Sequence, residues 1–139
     1  MPKLNLMMLL TFSIFAFMFA LASCTVDTEE EADKKVDYKK ITAEEAKTLM
    51  EKEEVIILDV RTEEEFADIR IEGAVLIPDY EIEALAEEML PDKDAIILVY
   101  CRTGRRSEEA SRSLINMGYT RVYDFGGIVD WEYETSSGD

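Results

Sequence analysis

Within five residues after Cys101 come Arg102, Thr103, Gly104, Arg105 and Arg106, with Ser107 next. A thiol is a weak nucleophile and its thiolate a strong one, so a cysteine that does chemistry needs its charged form stabilised. Three guanidinium groups this close favour the anion. A free cysteine titrates near pH 8.5, and lowering that by about two units takes roughly 2.7 kcal/mol. Gly104 tolerates backbone geometry that other residues resist, which lets the chain close around the sulfur. Arg106 closes a six-residue Cys-x4-Arg loop. Backbone N–H groups that converge in such a loop form a cradle for an anion. The chain has no histidine, which excludes Ser-His-Asp and Cys-His catalysis and makes a zinc site unexpected.

The flanking pattern says what must hold this loop. Ala95 to Tyr100 is a continuous apolar run, read as a strand, and Ser107 to Met117 reads as a helix with Ala110, Leu114, Ile115 and Met117 on its apolar side. Gly118 is placed as that helix's C-terminal cap. The cysteine thus lies at a strand-to-helix turn, where a helix N-terminus adds unpaired N–H groups and partial positive charge. Upstream, Thr42 with Glu45, and Thr62 with Glu65, have capping-box spacing and start two helices, the second covering Glu63 to Ile69. Between them Val55 to Val60 is apolar without alternation, as in a strand buried on both faces of a parallel sheet. Asp59 interrupts that run at its C-terminal end, where open α/β sheets bind ligands. Ala74 to Ile77 is a short strand before Pro78. Asp79 is placed as the cap of a helix that buries Ile82, Leu85, Ala86, Met89 and Leu90 and stops at Pro91. Arg121 to Phe125 is a last strand, Gly126-Gly127 turn the chain toward Trp131, and Glu134 to Asp139 carry no structural signal. Alternation of strand and helix predicts an α/β fold, a parallel sheet with helices on both faces.

The N-terminal stretch is read separately. Lys3 precedes an apolar block from Leu6 to Leu21, which ends Leu21-Ala22-Ser23-Cys24. That ending resembles the lipobox of bacterial lipoprotein precursors, which implies cleavage before Cys24 and lipid, palmitate included, carried by that cysteine. An uncleaved anchor is the alternative, and both place the following domain outside the cytoplasmic membrane. The expected organisation is a signal peptide over 1–23, an acidic tether over 24–37, one domain over 38–134 and a tail over 135–139. Cleavage removes Lys3 and no acidic residue, moving the net charge from −16 to −17. Such acidity argues against nucleic acid and against adhesion to anionic headgroups, so membrane contact is expected through the lipid alone. With Cys24 lipidated, Cys101 is the single thiol left and no intramolecular disulfide can form.

Taken together, Asp59-Val60-Arg61-Thr62-Glu63-Glu64-Glu65-Phe66, Ile71-Glu72-Gly73-Ala74-Val75-Leu76-Ile77-Pro78, the stretch from Cys101 to Ser107, and Gly126-Gly127-Ile128 with Trp131 resemble a single-domain rhodanese in order and spacing. The resemblance implies a rhodanese-like fold and a sulfurtransferase. Cys101 would take a sulfane sulfur from a small anionic donor such as thiosulfate, become a persulfide, and pass the sulfur to cyanide or a thiol. It further implies that Arg102, Thr103, Gly104, Arg105, Arg106 and Ser107 bind substrate, that Asp59 and Arg61 brace the loop, and that no cofactor or metal is needed. A monomer is expected. Ile69-Arg70 stand where the family has Gly-His, and Glu72 replaces a common Pro; both touch the scaffold more than the loop. Two other readings compete. One is a phosphatase or arsenate reductase of related architecture, against which the six-residue loop and the shortage of cysteines argue. The other is a non-catalytic module at the membrane surface in which Cys101 senses sulfur or oxidant.

Overall fold

The computed structural model describes residues 37–138. Its strands are β1 (Lys39–Lys40), β2 (Val55–Asp59), β3 (Arg70–Ile71), β4 (Val75–Leu76), β5 (Ile96–Cys101), β6 (Val122–Gly127) and β7 (Thr135–Ser136). Its helices are α1 (Ala43–Lys52), α2 (Glu63–Asp68), α3 (Ile82–Met89) and α4 (Arg105–Asn116). Five strands form a wholly parallel sheet in the order β1-β6-β5-β2-β4, while β3 and β7 pair antiparallel as a separate ribbon.

All six residues of β5 are buried, as a strand covered on both faces requires. Its side chains alternate between two cores. Ile97, Val99 and Cys101 face α3 and α4, packing with Ile82, Ala86, Leu90, Ala110 and Leu114. Ile96, Leu98 and Tyr100 face α1 and the C-terminal aromatics, packing with Ala46, Leu49, Phe125 and Trp131. Helices therefore cover both faces, as the alternation of elements predicts. In register, Asp59 lies beside Tyr100 and Cys101 beside Gly127, with an irregularity between Val99 and Cys101. The C-terminal ends of β2, β5 and β6 thus bring Asp59, Cys101 and the Asp124–Gly127 turn to one edge.

Local signals hold at most helix ends. Thr42 and Thr62 both form reciprocal capping boxes with Glu45 and Glu65. At the end of α4, Gly118 has φ +94°, and the N–H groups of Gly118 and Tyr119 donate to the carbonyls of Ile115 and Leu114, a Schellman motif. Three expectations need correction. Asp79 does not cap α3: its own N–H donates to the Val60 carbonyl, residues 79–81 form a 3-10 turn without a side-chain cap, and Glu81 stands at the N-cap. Met89, expected on the buried stripe, ends α3 at 42% exposure, while Leu90 just beyond is buried as expected. Finally, the segment from Glu134 is ordered through backbone pairing, because Ile71 and Arg70 sit opposite Thr135 and Ser136.

Candidate active site

Cys101 closes β5 and its side chain is 1% exposed. The chain then reverses within three residues. Gly104 adopts φ +108°, a region in which L side chains are strained, and serves as the N-cap of α4 without any side-chain cap. That geometry turns the Gly104 N–H onto the Cys101 sulfur at 3.0 Å. The sulfur therefore meets both a backbone donor and the positive end of a twelve-residue helix. Across the loop, β6 approaches so closely that a side chain at Gly127 would overlap the Arg102 carbonyl and lie 2.6 Å from the Thr103 Cα. The Val129 N–H donates to the same Arg102 carbonyl at 3.3 Å.

Ser107, the third residue of α4, is fully buried with its hydroxyl 3.6 Å from the sulfur. That hydroxyl also donates to the Asp124 carboxylate at 2.7 Å. Asp124, 3% exposed on β6, uses the same oxygen to accept the Gly126 N–H at 3.0 Å, which fixes the turn into Gly127. A cleft of about 420 Å³ opens on this side of the loop, lined by Thr103, Gly104 and Arg105 together with Lys40, Glu108 and Asp124.

The three arginines differ. Arg102 and Arg105 are exposed, like Thr103, and Arg105 pairs with Glu109 at 3.2 Å along the helix surface. Arg106 points the other way and grips Glu65 of α2 with both terminal nitrogens, at 2.9 and 2.8 Å. This pair is partly buried, and the guanidinium, helped by the Thr62 backbone, holds the Glu65 carboxyl down at about 2. Arg106 is itself raised, first by Glu65. Glu65 therefore does two jobs, capping α2 and clamping the end of the loop.

Asp59 and Arg61 form a buried ion pair, 2.6 Å at its shortest, with side chains 0% and 3% exposed. Arg61 also donates to the Ile69 carbonyl and lies over the Tyr100 ring at 5.5 Å. The Tyr100 hydroxyl accepts the Ile71 N–H, and burial followed by the Asp59 charge pushes this phenol above its usual range. These contacts tie the residue before Cys101 to β2 and β3. Cys24 lies outside the described residues.

Asp124, Glu65 and Gly127 have their site roles only in three dimensions. The Asp-x-Gly spacing of 124–126 is the one local sign among them, being that of a side chain that turns back onto the backbone two residues on. The capping box accounts fully for Glu65 in sequence, and Gly127 reads as an ordinary turn residue.

Comparison with known proteins agrees with this geometry. Residues 42–134 match the family model described as a rhodanese-like domain. Thiosulfate sulfurtransferase PspE of Escherichia coli is 38% identical over 73 residues, covering 52% of this chain and 70% of that protein. A sulfurtransferase of Allochromatium vinosum is 38% identical over 84 residues, covering 60% of this chain and 77% of its own. Among solved structures, a rhodanese-like domain protein from Staphylococcus aureus superposes with a TM-score of 0.62 at 33% identity, covering 73% of this chain and 99% of that one. An E. coli rhodanese solved with anions gives a TM-score of 0.58 at 34% identity, covering 61% of this chain and all of its own. With its parallel sheet, its cysteine at the end of the central strand and a family match over most of its length, the chain belongs to the rhodanese-like domain family.

Proposed function

We propose that the protein is a sulfurtransferase that carries a sulfane sulfur on Cys101. The observation that carries this reading is the placement of the cysteine sulfur at the N-terminus of α4, with the Gly104 N–H on it and a backbone loop folded tightly around it. In the forward step the Cys101 thiolate attacks the outer sulfur of a thiosulfate-type donor. The donor's S–S bond breaks with its electron pair leaving on sulfite, and a persulfide forms on Cys101. Cyanide or a thiolate then attacks the outer sulfur, and the electron pair of that S–S bond returns to Cys101. Both stages place negative charge beside the helix terminus and backbone N–H, where it is stabilised without reorganisation. The exposed Arg102 and Arg105 guanidiniums and the Thr103 hydroxyl are positioned to meet an anionic donor, while Gly104 shapes the cradle. Arg106 contributes to this by fixing the loop against α2. Support for the donor class comes from relatives named thiosulfate sulfurtransferases.

Thiocyanate formation from thiosulfate and cyanide tests the proposal on the full-length chain beside Cys101→Ser. The expected result is turnover in the wild type, none in the variant, and a gain of one sulfur on the Cys101 peptide after thiosulfate alone. Equal inactivity of both chains in the sulfur assay overturns the reading, and hydrolysis of p-nitrophenyl phosphate would replace it with a phosphatase. We further propose that the domain is held outside the cytoplasmic membrane by lipid on Cys24, in line with the Leu-Ala-Ser-Cys ending. Metabolic labelling with a fatty acid that leaves Cys24 unmodified would sink that assignment.

A further inference from the structure

On the face of the sheet away from the sulfur, a cavity of about 290 Å³ lies between α1, β2, β3 and the segment that leads into β7. Its inner surface is apolar, since Met50 and Ile57 are half-buried and Ile71 is 3% exposed. Trp131 and Tyr133 form one side, with their rings edge-on and the centroids 4.8 Å apart. The indole N–H already donates to the Glu134 carbonyl at 3.2 Å, so what Trp131 offers the cavity is its ring. The exposed carboxylates of Glu72 and Glu134 complete the lining, and neither forms an ion pair among the described residues. The cavity also has a cation of its own. The Lys47 ammonium stands over the Tyr133 ring at 5.8 Å and 3.4 Å from the Glu51 carboxylate. That height is near the limit of about 6 Å at which a ring face holds a cation. Tyr133 thus presents its face to positive charge without being covered by it. Because Glu51 balances Lys47, the charge of Glu72 and Glu134 is left over.

We propose that this cavity binds a small organic cation, an alkylammonium group on a compact apolar body. Each part of the lining answers to one part of such a ligand. The apolar body packs on Met50, Ile57 and Ile71, and the positive charge faces the electron-rich rings of Tyr133 and Trp131. Glu72 and Glu134 add attraction at longer range, in a chain whose net charge is already −16. Other ligand classes fit less well. A metal ion needs several oxygens drawn tightly together, and among the described residues no group of His, Cys, Asp or Glu is placed to hold one. An anion would meet two uncompensated carboxylates. A volume of about 290 Å³ lies at the small end of ligand cavities, which makes the occupant a free small molecule rather than an extended chain. The site lies behind Tyr100, on the opposite face of the sheet from Cys101, and its ligand takes no part in sulfur transfer.

Trp131 is the only tryptophan of the chain, so its fluorescence reports on this cavity. The full-length chain is titrated with choline chloride, with sodium chloride at equal ionic strength as the blank and neohexyl alcohol, the uncharged carbon isostere of choline, as the comparison. The expected result is a saturable change with a midpoint of about 1–10 mM, the strength that a few partly exposed cation–ring and charge contacts provide. The alcohol is expected to need a concentration at least about tenfold higher. Glu72→Gln should raise the choline midpoint about threefold and Tyr133→Leu about fivefold. Lys47→Met takes the resident cation off the ring and should lower the midpoint about threefold. Glu72 is exposed, so its variant keeps the test open should Tyr133→Leu not fold. Choline that acts no differently from sodium chloride overturns the proposal. An alcohol that matches choline does so too, because the cavity would then select for apolar shape and not for charge. A midpoint indifferent to both Glu72→Gln and Lys47→Met would place the binding elsewhere and equally sink it. No sulfur donor enters the titration, so its outcome and that of the thiocyanate assay are read apart.

Discussion

The sulfur's surroundings depend on two backbone facts at single residues. Gly104 needs φ +108° to aim its N–H, and Gly127 needs to have no side chain where β6 crosses the loop. The obstacle at Gly127 is backbone, which cannot swing aside as a flexible side chain could. Gly127→Ala is therefore expected to push the loop off β6, costing about 1–3 kcal/mol and accelerating alkylation of a sulfur that is now 1% exposed. Thermal unfolding together with thiol reactivity checks it; a variant as stable and as slowly alkylated as wild type would show that the loop has room to spare. Asp59 poses a different problem, because removing one charge from a buried pair strands the other. Asp59→Asn leaves Arg61 with the Ile69 carbonyl and the Tyr100 face, and should cost about 3–5 kcal/mol in urea unfolding. Replacing both partners, Asp59→Leu with Arg61→Met, is expected to cost much less than that single change, since no buried charge remains.

At the scale of elements, α2 is a six-residue helix whose main contribution to the site is one carboxylate. Glu65 is held at about 2 by Arg106, against an ordinary value of 4.5. A folded value below the unfolded one means stability that is fully present above pH 4.5 and lost as pH falls through that value toward 2. The side chains are 20% and 27% exposed, so solvent screening reduces what the shift alone would give, to about 1–2 kcal/mol. Glu65→Gln should lower stability by that amount at pH 7, and the gap to wild type should close by about pH 2. Urea titrations at a series of pH values test this, and a gap that persists unchanged in acid would assign the loss to the capping box instead. What sequence makes legible here is the local half. The Thr62 and Glu65 spacing shows the cap because its partners are three residues apart, whereas the clamp joins positions 41 apart and exists only once α2 and α4 are packed. Arg106 illustrates this, since its place in the loop points to a substrate anion while its pairing with the Glu65 carboxylate is visible only in the folded chain.

Across the whole molecule, legibility follows how much each element owes to its own residues. The buried run of β5 and the apolar stripe of α4 declare themselves, because burial on two faces or on one leaves a periodic mark. Strands of two residues leave none: β1 is Lys39–Lys40, both exposed, and is a strand solely by its pairing with β6. The same holds for β7, whose backbone closes onto β3 while Arg70 donates to the Gly138 carbonyl at 2.6 Å and the Gly138 N–H donates to Ala67 at 2.9 Å. These bonds gather residues 67–71 and 135–138 into one latch behind the Tyr100, Phe125 and Trp131 stack, whose neighbouring ring centroids are 5.4 and 5.6 Å apart. The loop around Cys101 hangs instead on Gly104, Gly127, Asp124 and the Glu65 side chain, whereas the hydrogen bonds that residues 135–138 make across the latch go to Ala67, Arg70 and Ile71. Stopping the chain after Tyr133 is therefore expected to lower stability by about 1–2 kcal/mol through lost partly exposed hydrogen bonds. Sulfur transfer below the melting temperature should stay within about twofold of wild type, since a latch bond lost to water costs stability without displacing the cradle. Calorimetry and the thiocyanate assay on the shortened chain decide it: a cradle that depended on the latch would lose turnover in proportion to the lost stability, at temperatures where the chain is still folded.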